Sequence, residues 1–95
     1  MAGAQTVPTD TPEVAALRVK ANAGDARAQF FLGVAYSKGE GVPQDSTQAA
    51  AWFRKAAEQR GDADVQYNLG LAYANGKGVR KDATQKAAWY RKAAE

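Results

Sequence analysis

The chain has 95 residues, of which 45% are hydrophobic and 24% charged, and its formal net charge is +3. This length supports one domain with one continuous core, and the basic residues are interleaved with acidic ones rather than gathered in the basic stripe that nucleic-acid binding needs. The chain contains no cysteine and no histidine, so it lacks disulfides, the usual general base and the commonest metal ligand. We therefore expect no catalytic site, no cofactor, no metal and no nucleic-acid partner.

The predicted elements begin after a mobile leader over residues 1–11, which is rich in threonine, proline and small side chains. This leader lacks the basic and apolar regions of an intact signal peptide, although Ala2-Gly3-Ala4 matches the small-residue pattern of a cleavage site. The sequence is therefore compatible with the cytoplasm and with an exported, processed location. No apolar run approaches the ~20 residues that a membrane span requires.

Capping signals predict five helices and no strands. A first, partial helix over 12–23 starts with Thr11 as N-cap and Pro12 at the first helical position. Each of the other four helices follows an aspartate, which is a favourable N-cap residue. These are the A helices 26–38 and 63–75, after Asp25 and Asp62, and the B helices 46–59 and 83–95, after Asp45 and Asp82. A glutamine three residues after each B cap predicts a variant of the capping box.

Residues 24–58 recur as residues 61–95, with 22 of 35 aligned pairs identical. Self-similarity at a period of a few tens of residues indicates stacked supersecondary units, because one unit cannot bury its apolar face alone. The sequence therefore predicts an all-α solenoid of two helix pairs preceded by the partial helix. The domain covers residues 12–95, with repeat one over 24–60 and repeat two over 61–95.

Helical spacing predicts which faces are buried. Residues three or four positions apart share one face of a helix. The predicted core residues are Ala28, Leu32, Ala35 and Tyr36, then Val65, Leu69, Ala72 and Tyr73 in the A helices, and Ala49, Trp52, Phe53, Ala56 and Ala57, then Trp89, Tyr90, Ala93 and Ala94 in the B helices. Small alanines together with Gly33 and Gly70 are expected to let the paired helices approach closely.

The pattern Ala28-x-x-x-Leu32-Gly33-x-x-Tyr36-x-x-Gly39-x-Gly41-Val42, followed by Ala49-x-x-Trp52-x-x-Lys55-Ala56-Ala57, closely resembles the Sel1-like repeat, a relative of the tetratricopeptide repeat. The resemblance covers residues 24–95, and the partial helix looks like a degenerate B helix of a preceding repeat. The chain departs from the family pattern at four positions. Val65 stands where the family usually has alanine, Arg80 replaces proline and Lys86 occupies a usually small position. Arg60 is an added residue in the connection between the repeats. The resemblance implies an α-solenoid adaptor that holds proteins or peptides and does not catalyse a reaction.

In related helical repeats the A helices line the concave surface, so the resemblance implies a binding groove opposite the leucine and tyrosine stripe. The residues on that face are Arg27, Phe30, Val34, Ser37, Lys38, Asp64, Tyr67, Leu71, Ala74 and Asn75. Rings and aliphatic side chains with a polar rim suit an apolar anchor of a peptide or protein. On this hypothesis, removing Phe30 and Tyr67 weakens binding and leaves folding unchanged. The alternative is that both rings merely pack between neighbouring A helices.

The chain stops inside the last B helix, which predicts an uncovered flank around Trp89, Tyr90 and Ala93. Three explanations of this flank stay open: the chain is part of a longer repeat array, it self-associates through the flank, or it tolerates the exposure. A second candidate function is therefore structural, in which the module stacks on further repeats or on copies of itself. Arg60-Gly61-Asp62 matches the tripeptide read by integrins, but a helix stop and a helix cap already explain its glycine and aspartate.

Overall fold

A computed structural model describes residues 10–60 and 63–95, and within those residues the chain forms five helices and no strand. The helices are α1 (Pro12–Asn22), α2 (Ala26–Lys38), α3 (Ser46–Arg60), α4 (Ala63–Asn75) and α5 (Ala83–Ala94). The predicted all-α fold is confirmed, and every helix end lies within one residue of its predicted position. Both A helices end at a glycine in the left-handed region, with φ of 71° at Gly39 and 66° at Gly76.

Side-chain caps hold the helix N-termini where the sequence places them. Thr11 and Asp25 each accept a hydrogen bond from one backbone amide of the first turn, at 3.3 and 2.9 Å. Asp45 accepts two such bonds, at 3.0 and 3.1 Å, and Asp82 accepts two at 2.9 and 3.1 Å. The fifth predicted cap, Asp62, lies outside the described residues.

The B-helix caps differ from a capping box in one respect. In that motif the backbone amide of the cap residue bonds to the side chain three positions on. Here the amide of Asp45 donates to the carbonyl of Tyr36 at 2.9 Å, and the amide of Asp82 donates to the carbonyl of Tyr73 at 3.1 Å. Each bond joins the last turn of an A helix to the start of the following B helix. The backbone itself therefore fixes the corner of each helix pair.

Asp10 and Thr11, which belong to the predicted leader, both contact the helical domain. The Asp10 carboxylate accepts hydrogen bonds from Arg18 Nε and Nη2 at 2.9 and 3.0 Å. These bonds, against the opposing effect of burial, raise the pKa of Arg18 further above its ordinary value, so the guanidinium stays charged. The amide of Thr11 donates to the carbonyl of Gly41 at 3.0 Å. The rest of the predicted leader, residues 1–9, lies outside the described residues.

Successive helices form the main packing contacts, α1 with α2, α2 with α3, α3 with α4 and α4 with α5. This serial arrangement is that of a solenoid. Leu32 and Leu69, at equivalent positions of the two A helices, are fully buried. Trp52 and Phe53 of α3 are buried in the same core cluster. The core therefore runs along the solenoid from α1 to α4.

The last helix departs from its predicted packing, because α5 contains no buried residue. Trp89 and Tyr90, which the sequence places on an uncovered flank, are half-buried, and Trp89 packs against the core. The exposed apolar residues of α5 are instead Ala83, Ala87 and Ala94, which share one face of the helix with Arg91. The difference follows from helix geometry, since Tyr90 points back toward α4 and leaves the next face of the helix uncovered.

Candidate functional site

A cavity of about 200 Å³ lies at the seam between the two repeats. Its apolar walls are Ala49, Ala50 and Phe53 of α3 and Leu71 and Ala72 of α4; its polar residues are Ser37, Ser46, Asn68, Asn75 and Lys77. The α3 residues of the wall are buried, whereas Ser37, Asn75 and Lys77 are exposed. The cavity thus has an apolar floor and a polar edge, which is the usual composition of a small binding pocket.

Three of the ten predicted groove residues, Ser37, Leu71 and Asn75, line this cavity. Of the others, Arg27, Lys38 and Asp64 are exposed on the surface, and Val34 and Ala74 are half-buried. The structure therefore brings only the C-terminal part of the predicted face together around a cavity. The N-terminal part of that face, which contains Phe30 and Tyr67, lies outside the cavity lining.

Phe30 and Tyr67 each pack on a ring of the B helix in their own repeat. The Phe30 ring lies 5.7 Å from Phe53 and 5.4 Å from Phe31, and it packs against the core. The Tyr67 ring stacks on Tyr90 at 5.4 Å with an interplanar angle of 23°, and Tyr67 is 52% exposed. The two residues are therefore not equivalent, because Phe30 supports the fold while Tyr67 presents half of its surface to solvent.

A glycine of the A helix lies beneath each B-helix ring. A Cβ atom on Gly33 would come within 2.7 Å of two carbons of the Phe53 ring, and one on Gly70 would come within 2.6 Å of Tyr90. Both distances are too short for carbon atoms in contact. The two glycines therefore allow the close approach of paired helices that the sequence predicts.

An arginine and a tyrosine connect α1 to α2 and, in the same way, α3 to α4. Arg18 Nη2 donates a hydrogen bond to the Tyr36 hydroxyl at 2.7 Å, and its guanidinium lies 5.5 Å from the centre of that ring. Arg54 donates to the Tyr73 hydroxyl in the same way, with a ring distance of 5.7 Å. Such contacts combine a charged hydrogen bond with a cation–π interaction.

The sequence does not predict that several residues of the seam line a cavity. It predicts Ala49 and Phe53 as core residues, and it gives Asn68 and Lys77 no role in a site. The neighbouring small residues Ala49 and Ala50 are the available signal, since two alanines in succession leave room beside a helix. The arginines of the tyrosine pairs also escape prediction, because their partners lie 18 and 19 residues further along the chain.

Two helix pairs joined through equivalent contacts, with a B-type helix ahead of them, define an α-solenoid repeat protein. The chain belongs to the Sel1 repeat family, whose sequence profile matches residues 26–60 and 63–95. Proteins of this family generally serve as protein-interaction modules and are typically helical-repeat scaffolds without catalytic activity. Among the described helices, none is both long and apolar enough to cross a membrane.

Three known proteins illustrate the similarity. The secretory immunoglobulin A-binding protein EsiB of Escherichia coli O6:H1 (strain CFT073) is 50% identical over 40 residues, which are 42% of this chain and 8% of that protein. The crystal structure of a protective antigen present in uropathogenic Escherichia coli strains, described as displaying an SLR fold, superposes with a TM-score of 0.78 and 48% identity. That comparison covers 85% of this chain and 17% of the antigen.

The third is a Sel1 repeat protein from Oxalobacter formigenes, whose crystal structure superposes with a TM-score of 0.81 and 41% identity. Here too the comparison covers 85% of this chain, and it covers 61% of the other. This chain therefore spans less than two thirds of the length of each of these relatives. The similarity shows the family and the fold.

Proposed function

We propose that this protein binds a protein or peptide partner at the seam between its two repeats and catalyses no reaction. The observation that carries the proposal is the seam cavity, where Phe53 and Leu71 form apolar walls beneath the exposed polar residues Ser37 and Asn75. Apolar pockets with a polar edge are the sites at which a partner's anchor side chain contributes most to affinity. Helices supply every wall, so the pocket is preformed and little entropy is lost on binding.

The charge of the cavity favours an acidic partner segment. Among the described residues, Lys77 is the one charged residue that lines the cavity, and it is exposed at the edge. Lys38, which follows the lining residue Ser37, adds a second exposed positive charge on the same predicted face. We therefore expect the partner to insert an apolar side chain flanked by a carboxylate. Complementary charge of this kind improves specificity and association rate more than affinity.

The relatives support a protein as the class of partner. Sel1 repeats generally mediate protein interactions, and one relative is by its name a binder of secretory immunoglobulin A. That name describes the relative, which is far longer than this chain, and the partner of this chain need not be an immunoglobulin. The absence of histidine and cysteine from the sequence supports binding rather than catalysis.

A peptide-display selection followed by calorimetry tests this proposal. We expect the selected peptides to share an apolar residue next to an acidic one. Asn75→Trp, which fills the exposed edge of the cavity, and Lys77→Glu, which reverses its charge, should each weaken binding by about tenfold or more. Lys20→Glu makes the same charge change on α1 and should leave binding unchanged. Selected peptides that bind both cavity variants as well as the parent chain would refute the seam as the site.

A second function is favoured by the uncovered face of α5. Ala87, Arg91 and Ala94 are exposed there, and the helix contains no buried residue. A surface of this kind fits a structural role in which the module stacks on a further repeat or on a copy of itself. Light scattering over a roughly hundredfold range of concentration distinguishes the two, because self-association makes the measured mass rise with concentration.

A further inference from the structure

A pair of tyrosine rings and a carboxylate lie together on the second repeat. Tyr67 of α4 stacks on Tyr90 of α5, with ring centres 5.4 Å apart. Both rings line an open cleft of about 380 Å³, together with Asp64 and with alanines from the ends of α4 and α5. Asp64 and Tyr67 are exposed and lie three positions apart on one face of α4. The cleft therefore has an aromatic wall and an acidic edge.

The first repeat has different chemistry at the equivalent place. Arg27 stands where the second repeat has Asp64. Phe30 and Phe53 stand where it has its two stacked tyrosines, and their rings lie 5.7 Å apart. The packing of the rings is thus similar in the two repeats, but the charge beside them is reversed. An acidic aromatic cleft is therefore a property of the second repeat and not of the repeat pattern.

Asp64 and Tyr67 stay accessible whether or not a further helix pair adjoins α5. In the first repeat, α4 lies directly against α3, and there Arg27 is exposed and Phe30 half-buried. A helix placed against α5 in the same way would leave Asp64 exposed and part of the Tyr67 ring open. These two side chains therefore form the accessible part of the cleft, and Tyr90 supports the ring from behind.

Other rings of the chain show which group such a surface accepts. Four rings each have a cationic side chain between 5.2 and 5.7 Å from the ring centre, and they are Tyr36, Trp52, Tyr73 and Trp89. Within residues 10–60 and 63–95, no cation lies over Tyr67 or Tyr90, and no ion pair involves the Asp64 carboxylate. The cleft thus offers an aromatic face and a negative charge to a cation from outside these residues.

We propose that this cleft binds an arginine side chain of a protein partner, with the guanidinium stacked on the Tyr67 ring and hydrogen-bonded to the Asp64 carboxylate. A planar guanidinium can stack on a ring and donate two parallel hydrogen bonds to a carboxylate, whereas the ammonium group of lysine acts as a point charge. The positive end of the α4 macrodipole opposes a cation at this first turn. The ring and the carboxylate are therefore both needed.

The arginine cleft is distinct from the seam cavity, because the two share no lining residue. The seam lies between α3 and α4 and carries a lysine at its edge, whereas the cleft lies between α4 and α5 and carries an aspartate. The two sites thus select opposite charges. The proposal does not depend on the seam, so its test can fail while the seam proposal holds, and the reverse.

The test uses the 95-residue chain and the peptide acetyl-Gly-Arg-Gly-amide as probe. The ring signals of the tyrosines are followed by NMR during titration at low salt. The signals of Tyr67 and Tyr90 should shift and saturate at millimolar peptide, because exposed cation–π contacts and ion pairs are individually weak. The same peptide with citrulline in place of arginine keeps the planar shape and loses the charge. It should give no saturable shift, and the lysine peptide should bind about threefold more weakly than the arginine peptide.

Variants of the chain assign the binding to the two side chains. Asp64→Asn and Tyr67→Leu should each weaken binding of the arginine peptide by about fivefold or more. Tyr67→Phe keeps the aromatic face and should bind like the parent chain. Glu13→Gln removes an acidic residue from the first turn of α1, as Asp64→Asn does in α4, and should also bind like the parent. Circular dichroism should show the same helix content in all four variants.

Several results would overturn the proposal. One is the lack of any shift at Tyr67 up to the solubility limit of the arginine peptide, and another is equal binding of the citrulline peptide. Unchanged binding to Asp64→Asn would exclude the carboxylate, and unchanged binding to Tyr67→Leu would exclude the ring. Self-association of the parent chain that Asp64→Asn abolishes would mean that a second copy supplies the arginine, which contradicts a separate partner.

Discussion

The guanidinium of Arg54 in α3 donates a hydrogen bond to the hydroxyl of Tyr73 in α4, as Arg18 does to Tyr36 one repeat earlier. The first pair is separated by 18 residues and the second by 19. The difference equals the added residue Arg60 in the connection between the repeats. The contact therefore survives a change in linker length, which identifies it as a fixed point of the seam between successive units.

Removing the Arg54–Tyr73 contact should destabilise the solenoid measurably. Because Arg54 is exposed, we expect Arg54→Ala and Tyr73→Phe each to cost about 1 kcal/mol of unfolding free energy. The double variant should cost clearly less than the sum, since both changes remove one interaction. Urea denaturation of the four proteins gives the coupling energy. Strict additivity would show that the two side chains act independently.

The two tryptophans should differ in their importance for stability. Trp52 is 9% exposed within the core, whereas Trp89 occupies the equivalent place in α5 and is only half-buried. Trp52→Ala should therefore cost about 3–5 kcal/mol, the usual range for a buried tryptophan. Trp89→Ala should cost about half as much. Denaturant titration compares them, and a loss below about 1 kcal/mol for Trp52→Ala would contradict its place in the core.

Alanine at the two ring-facing glycines should have unequal effects. Gly33→Ala places a methyl group against the Phe53 ring, which is 5% exposed and packed within the core. We expect a loss of about 1–3 kcal/mol from this overpacking. Gly70→Ala meets Tyr90, which is half-buried and can tilt toward solvent. The helix propensity of alanine, worth up to about 1 kcal/mol, then offsets the strain.

Thermal unfolding of both glycine variants, followed by circular dichroism, measures this difference. A larger loss for Gly70→Ala than for Gly33→Ala would mean that Tyr90 is held more firmly than its exposure indicates.

Phe30 and Tyr67 should respond differently to truncation. Phe30 packs against the core and Phe53, so Phe30→Ala should cost about 1–3 kcal/mol. Tyr67 is 52% exposed, so Tyr67→Ala should cost less than about 1 kcal/mol. The expectation from the sequence, that both can be removed without effect on folding, is thus retained only for Tyr67. Melting curves of the two single variants check this directly.

Local signals in the sequence were sufficient for the helices. Asp25, Asp45 and Asp82 cap helices that begin one residue later, because capping depends on atoms within one turn. The seam cavity depends on how α3 and α4 lie against each other, and side-chain spacing within one helix does not determine that. Phe53 and Lys77 accordingly meet at the seam cavity although neither belongs to the predicted groove. The predicted groove and the lining of the cavity share Ser37, Leu71 and Asn75, which all come from the A helices.

The backbone bond from Asp45 to the Tyr36 carbonyl has a mechanical consequence, together with its equivalent between Asp82 and Tyr73. It makes the angle between the two helices of each pair resistant to opening. We expect bending to occur instead between successive helix pairs, where side-chain contacts such as that of Arg54 with Tyr73 hold α3 and α4 together. The seam cavity lies at this joint. A side chain wedged there would set the curvature of the whole solenoid, so a bound partner would act on its shape as well as occupy its surface.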